Sequence, residues 1–111
     1  MSRPSARQRA AQARIAAELG SVGFALAGTV LERRIRCGKK GCRCGADPPR
    51  LHGPYYQWTR KLNGVTQTRL LSAVQMARYA NWFENAKRIR RLTSELETLS
   101  LDIAESAEDW S

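Results

Sequence analysis

This chain has no long apolar run, few cysteines and no evident secretion signal. These features argue against a membrane-spanning, disulfide-rich or secreted protein. The longest apolar stretch, Val22 to Leu31, has ten residues and is interrupted by glycines, whereas a membrane-spanning helix requires ~20. The first residues, Met1 to Pro4, show no signal-peptide pattern. Three cysteines, an odd number, cannot form a full disulfide framework. We therefore expect a cytoplasmic protein with reduced thiols and no membrane partner.

Acidic residues are scarce through most of the chain and concentrate at its end. All 19 Lys and Arg lie at or before Arg91, where only four acids occur, so this part carries a net charge of +15. The last twenty residues hold six acids and no base, a net charge of −6. A body this basic attracts polyanions, which at cellular salt favours DNA or RNA and a nucleoid-associated location. A solvated surface without a partner, or one facing a ribosome or anionic lipid, is the alternative.

Catalytic groups are also scarce. The chain has one histidine, no evident nucleophile–base pair and no carboxylate cluster within its basic part. We therefore expect a protein that is not an enzyme. Its 111 residues, 42% of them hydrophobic, suit one globular domain with a small core.

The order of local signals predicts an α+β fold. Residues 5–19 are strong helix formers, and β-branched and aromatic residues predict strands at 29–36, 55–62 and 65–71. Asn63-Gly64 is typical of a type I′ hairpin turn, and neither Pro nor Gly follows Ser72. The predicted fold is an N-terminal helix, a three-stranded antiparallel meander with a Cys/His loop, and a long C-terminal helix. Its segments are a basic helix and linker at 1–27, the meander at 28–72, and the helix with its acidic tail at 73–111.

The apolar positions of the long C-terminal helix change along its length. The first part has a broad face suited to covering the sheet, formed by Val74, Met76, Ala77, Tyr79, Ala80 and Phe83. The second part has a narrow seam with 3-4-3-4 spacing, formed by Ile89, Leu92, Leu96, Leu99 and Ile103. This seam needs a partner, and we expect a homodimer. An intramolecular hairpin with the first helix is the alternative.

The three cysteines and the histidine lie within sixteen residues, in a loop predicted from Cys37 to Pro54. Cys₃His is a recognised zinc-ligand set, so Cys37, Cys42, Cys44 and His52 are expected to hold a structural Zn²⁺, with Asp47 a weaker fourth ligand. Glycines at 38, 41 and 45 allow the loop to bend, and prolines at 48, 49 and 54 stiffen its return arm. A redox-reactive cysteine activated by the nearby lysines, or three inert cysteines, are the alternatives.

A combination of motifs in this loop resembles a known family. Cys37-Gly38-Lys39, Cys42-x-Cys44 and the His-Gly-Pro-Tyr run from His52 are similar to those of small uncharacterised bacterial and archaeal proteins, a domain of unknown function sometimes found beside transposase or integrase genes. The resemblance covers about Gly28 to Ser100. It implies an association with mobile elements, and it supplies no activity.

The order strand, turn, strand, helix is also similar to that of the arm-site DNA-binding domains of phage-type integrases. This resemblance implies a sheet that contacts bases in the major groove of double-stranded DNA. The residues expected to contact phosphates around the loop are Arg33, Arg34, Arg36, Lys39, Lys40, Arg43 and Arg50. Those expected to contact nucleic acid from the sheet are Gln57, Thr59, Arg60, Lys61 and Arg69. The expected function is an accessory or regulatory DNA-binding protein, and the alternative is a protein-interaction module that docks on a recombinase or transposase through its C-terminal helix. The choice between DNA and RNA stays open.

Overall fold

The computed structural model describes residues 3–46 and 49–110. Its elements in chain order are helix α1 (Ala6–Ser21), strand β1 (Thr29–Ile35), a 3₁₀ helix (Arg43–Gly45), strands β2 (His52–Leu62) and β3 (Val65–Leu71), and helix α2 (Ala73–Glu108). The expected α+β class and order of elements are confirmed. Asp47 and Pro48, which the sequence assigned to the metal loop, lie outside the described residues. Neither described helix is both long and apolar enough to cross a membrane.

Both helices begin at a reciprocal cap. The Ser5 hydroxyl accepts from the Gln8 backbone N–H while the Gln8 side chain accepts from the Ser5 backbone N–H. Ser72 and Gln75 form the same pair at the start of α2, at 3.2 and 2.9 Å. Each cap satisfies backbone donors that the first helical turn leaves without partners. The sequence therefore fixes where each helix begins through short-range chemistry.

The three strands form an antiparallel sheet in the order β1-β2-β3. Asn63 and Gly64 join β2 to β3 with φ values of 52° and 78°, the positive values that a type I′ turn requires. Thr59 pairs with Thr29 on one side and with Thr68 on the other. Directly paired residues share a face, so this register assigns every sheet residue to one of two faces.

The second strand begins earlier than the sequence predicted. The loop was expected to reach Pro54, but β2 starts at His52, which pairs with Ile35. Between the pairs Arg33–Tyr55 and Ile35–His52, β1 has one residue and β2 has two. This bulge explains the correction, because a proline without an N–H is tolerated where the ladder is interrupted.

The chain divides into two compact units, and the first spans Leu26–Phe83. Its core joins the sheet to the start of α2, where Trp58 and Phe83 are buried with ring centroids 5.4 Å apart, edge to face. The Trp58 indole N–H donates to the Ala27 carbonyl at 2.9 Å, which satisfies its polar atom. Burial of Trp58 identifies its side of the sheet, which we call the inner face. Trp58, Arg60, Gln67, Arg69 and Leu71 lie on it.

The covering face of α2 is narrower than expected. Val74 is 67% exposed and Ala77 is exposed, so neither covers the sheet as predicted. Met76, Tyr79 and Ala80 are half-buried, and with Phe83 they follow the i, i+3, i+4, i+7 spacing of one helical stripe. The prediction is wrong for Val74 and Ala77 because, at 3.6 residues per turn, Val74 lies on the opposite side of the helix from this stripe and Ala77 lies beside it.

The second unit comprises the residues through Ala25 and those from Glu84 onward. In it α1 runs antiparallel to α2, since Arg14 pairs with Glu95 and the Asn85 amide donates to the Phe24 carbonyl at 2.8 Å. Ile15 is 1% exposed and Leu92 is 6% exposed. The other residues of the seam, Ile89, Leu96, Leu99 and Ile103, are half-buried. The intramolecular hairpin is therefore the arrangement within this chain, and the homodimer stays a prediction.

Replacing Phe83 by alanine should lower the free energy of unfolding by about 3–5 kcal/mol, because it removes the ring packed on Trp58 and leaves a cavity. Val74→Ala on the same helix should change it by less than about 0.5 kcal/mol, because Val74 is exposed. Urea unfolding monitored by circular dichroism measures both. Equal losses for the two variants would contradict this account of the covering stripe.

Candidate metal centre

The β1–β2 hairpin brings the first and last candidate ligands together. Cys37 follows the end of β1 by two residues, and His52 is the first residue of β2. Ile35 and His52 pair across the ladder, so Cys37 and His52 leave the sheet at the same end. Ladder pairing thus sets the distance between two ligands that lie fifteen positions apart in the sequence.

The remaining two ligands are placed by a tight turn. Gly38 and Gly41 have φ values of 74° and 78°, a conformation that favours glycine, and the Cys42 N–H donates to the Lys39 carbonyl at 3.2 Å. The 3₁₀ helix then carries Cys44 into the interior, where it is 3% exposed. The expectation that glycines bend this loop is confirmed at these two positions.

The four ligand atoms lie within 4.8 Å of one another. The Cys37 and Cys44 sulfurs are 3.6 Å apart, and the Cys42 sulfur is 3.0 Å from Nε2 of His52. A tetrahedral ion with metal–sulfur bonds of about 2.3 Å holds two sulfurs about 3.8 Å apart. The separation of Cys37 and Cys44 fits that geometry, and a small relaxation of the Cys42–His52 pair completes it. The predicted four residues can therefore hold a metal ion.

Backbone N–H groups around the cluster point at its sulfurs. The Cys37 N–H donates to the Cys44 sulfur and the Lys39 N–H donates to the Cys37 sulfur, both at 3.4 Å. The pKa of Cys44 is lowered to about 6, mainly because its sulfur accepts the hydrogen bond from the Cys37 N–H. Burial raises this pKa, and hydrogen bonds with the side chains of Cys42, Cys37 and His52 lower it further. The lowered pKa of Cys44 favours the thiolate, which is the form that binds metals.

Cys37 behaves differently. The hydrogen bond from the Lys39 N–H lowers the pKa of the Cys37 thiol. That effect is outweighed by hydrogen bonds with the Cys42 and Cys44 side chains and by desolvation, so the pKa of Cys37 is raised overall. The pKa shifts of Cys37 and Cys44 thus come mainly from hydrogen bonds within the cluster. The charges of the nearby lysines, which the redox alternative requires, are not among their causes.

All three cysteines are free thiols. The Cys37 and Cys44 sulfurs are 3.6 Å apart, which far exceeds the length of a disulfide bond, about 2.05 Å.

The basic residues predicted around the loop are all exposed: Arg33, Arg34, Arg36, Lys39, Lys40, Arg43 and Arg50. One of them forms an ion pair within the described residues, Arg34 with Glu32 at 3.8 Å. The Arg43 carbonyl accepts from the Arg50 N–H at 3.0 Å, which joins the outgoing and return arms of the loop. The loop therefore presents its cations to solvent on a backbone held by hydrogen bonds.

The predicted sheet contacts divide between two faces. Gln57, Thr59 and Lys61 lie on the side opposite Trp58, which we call the outer face, and the register adds Thr66 and Thr68 to them. Gln57 accepts from Arg33 at 2.8 Å, and the Thr59 and Thr68 hydroxyls are 3.4 Å apart. Arg60 and Arg69 lie on the inner face instead. The structure therefore does not bring the five predicted sheet residues together on one surface.

Sequence reasoning missed a cavity on the inner face. Arg60 stacks over the Trp58 ring at 4.9 Å, and Tyr79 and Trp82 of α2 also line the space. The signal available was the alternation that places Trp58 and Arg60 on one face of a strand. Joining that face to the aromatic residues of α2 required the packing of helix on sheet.

The fold and the cluster together define a small α+β protein with a Cys₃His group, able to hold a metal ion, at the end of a β-hairpin. The chain belongs to the family described as a domain of unknown function (DUF6788), whose family model matches residues 4–78. The matched segment includes all four candidate ligands and the whole sheet. Comparison with curated proteins and with solved structures finds no match.

Replacing Cys42 by serine should abolish binding of one metal ion per chain, because the pair with His52 loses its sulfur. With metal at about a thousandfold its Kd, the variant should also lose about 4 kcal/mol of stabilisation by bound metal. Arg43→Gln is the matched control, because it changes the neighbouring residue and leaves all four ligands in place. Native mass spectrometry counts the metal, and full occupancy of the Cys42→Ser protein would contradict the assignment.

Proposed function

We propose that the Cys₃His group holds a structural Zn²⁺. Three thiols and one imidazole form a donor set that zinc accepts in closed tetrahedral sites. Cys44 is buried, Cys42 and His52 are half-buried, and Cys37 is exposed. Four protein ligands would fill a tetrahedral shell and leave no position open for a substrate. In this proposal zinc joins β1, the 3₁₀ helix and β2, and its binding free energy adds to the stability of a small fold.

We further propose that the zinc-held loop binds nucleic acid, in the first instance double-stranded DNA. The observation that carries this proposal is the set of exposed cations on the loop, of which Arg34 alone has an ion-pair partner among the described residues. Unpaired cations release the condensed counterions of DNA when they meet phosphates, and this release drives binding. Metal binding would reduce the entropy cost of contact because the loop is ordered beforehand.

The outer face of the sheet supplies the second part of the proposed interface. Arg33 of β1 donates a hydrogen bond to Gln57 of β2. Lys61 lies further along β2, near the hairpin turn. A two- or three-stranded ribbon fits the major groove, where guanidinium, amide and hydroxyl groups can contact base edges. In this arrangement the loop cations position the protein on phosphates and the outer face discriminates among sequences.

The Cys/His motif resembles that of proteins sometimes found beside transposase or integrase genes, and this resemblance supports an accessory or regulatory role in a mobile element. A recombinase or transposase would then be the protein partner. In this proposal the chain binds DNA near the mobile element, and the recombinase or transposase performs strand transfer.

The double variant Lys39→Gln/Lys40→Gln should weaken duplex binding by about tenfold and reduce the slope of log K against log salt by about two, one for each lost phosphate contact. The control Arg90→Gln/Arg91→Gln removes the same charge from α2, which is not part of the loop. Fluorescence anisotropy at several salt concentrations measures both quantities. Equal losses for the two variants would show that net charge, rather than the loop, drives binding.

A further inference from the structure

A cavity of about 390 Å³ opens on the inner face of the sheet, within the unit that spans Leu26–Phe83. Four aromatic residues line it: Trp58 of β2 and Phe83 of α2, which are buried, and Tyr79 and Trp82 of α2, which are half-buried. Hydrogen bonding of the Trp58 indole to Ala27 fixes the ring in place, and Tyr79 and Trp82 pack edge to face at 5.1 Å. The volume lies within the range of about 300–1,000 Å³ typical of small-ligand sites.

Two guanidinium groups also line this cavity. Arg60 stacks on Trp58 and donates one hydrogen bond to Gln67 at 3.3 Å, which leaves its other donors available. Arg69 pairs directly with Trp58 across β2 and β3, so it projects on the same face, and it forms no ion pair within residues 3–46 and 49–110. Among the described residues, no carboxylate lines the cavity. The site therefore combines aromatic surface with uncompensated positive charge.

We propose that this cavity binds one nucleoside phosphate unit, with the base against the aromatic wall and the phosphate on Arg60 and Arg69. A base gains about 1–3 kcal/mol by stacking on an aromatic side chain, and a guanidinium forms paired hydrogen bonds with phosphate oxygens. Inorganic phosphate would leave the aromatic surface unused, and an uncharged aromatic molecule would leave the guanidiniums unused. A nucleotide uses both features.

Two sources share this chemistry, a free nucleotide and an unpaired nucleotide within a strand. The second source rests on the proposed nucleic-acid function, and the first is independent of it. The cavity lies on the face opposite Gln57, Thr59 and Lys61, so a duplex lying on the outer face cannot insert a stacked base into it. The polymer that uses this site is therefore single-stranded or locally unpaired.

Tryptophan fluorescence of the metal-loaded chain tests the proposal directly. Trp58 and Trp82 line the cavity, whereas Trp110 is 60% exposed, so Trp110→Phe provides a background in which the signal comes from the site. Adenosine 5′-monophosphate should quench fluorescence to saturation, adenosine should bind about tenfold more weakly, and inorganic phosphate should not quench. Failure of adenosine 5′-monophosphate to saturate, or equal affinity for adenosine, would overturn the proposal.

Arg69→Gln supplies the matched test of the phosphate contact. It should weaken binding of adenosine 5′-monophosphate at least about tenfold, because the charge-assisted hydrogen bonds of the Arg69 guanidinium are lost. Lys61→Gln removes the same charge from the outer face of the neighbouring strand, and it should change that affinity less than about twofold. Both residues are exposed, so neither variant should disturb the core. Equal losses for the two variants would overturn the site.

Oligonucleotides then identify the source. If Arg69→Gln weakens binding of a single strand but not of a duplex of the same sequence, the source is an unpaired nucleotide within a polymer. If a single strand fails to displace adenosine 5′-monophosphate, the free nucleotide is the ligand, and the site stands without the polymer. Lys39→Gln/Lys40→Gln should retain adenosine 5′-monophosphate binding even if duplex binding is absent in every variant. Failure of the proposed loop function is thus distinguishable from failure of this site.

Discussion

The convergence of three sulfurs and one imidazole nitrogen at the end of the β1–β2 hairpin is the constraint on which the rest of this structure depends. The loop between these strands spans sixteen residues, 36–51, and its described part holds a single turn of 3₁₀ helix. Loops of that length without much secondary structure are uncommon in compact domains unless something ties them down. Ligand atoms within 4.8 Å of one another provide that tie, and a bound ion would make it strong.

The same constraint explains how so basic a segment is kept compact. Residues 33–50 contain seven Lys and Arg and one acid, so mutual repulsion opposes any ordered loop. This repulsion is countered by the hydrogen bonds from backbone N–H groups to the clustered sulfurs. The hydrogen bond between the Arg50 N–H and the Arg43 carbonyl counters it as well. Among the described residues, the buried hydrophobic core outside the loop is small, with Trp58 and Phe83 in one unit and Ile15 and Leu92 in the other. A small core leaves a larger share of stability to the loop.

The features that could be predicted from sequence are those set by neighbouring residues. The start of α2 after Ser72 and the Asn63-Gly64 turn depend on a few adjacent positions, and the four ligands stand out by residue type and spacing. The features that could not be predicted depend on distant packing. Alternation along β2 separates two sets of residues, but the pairing with β3 was needed to place Arg69 beside Trp58. The position of the α2 stripe likewise depends on where the helix meets the sheet, which local periodicity near Val74 does not specify.

The coordination shell of the bound metal tests the central claim most directly. X-ray absorption at the zinc edge of the purified protein resolves the number and type of its ligands. The account predicts three sulfurs at about 2.3 Å and one nitrogen at about 2.0–2.1 Å, supplied by the three cysteines and His52. A shell of nitrogen and oxygen alone, or one with fewer than three sulfurs, would contradict it.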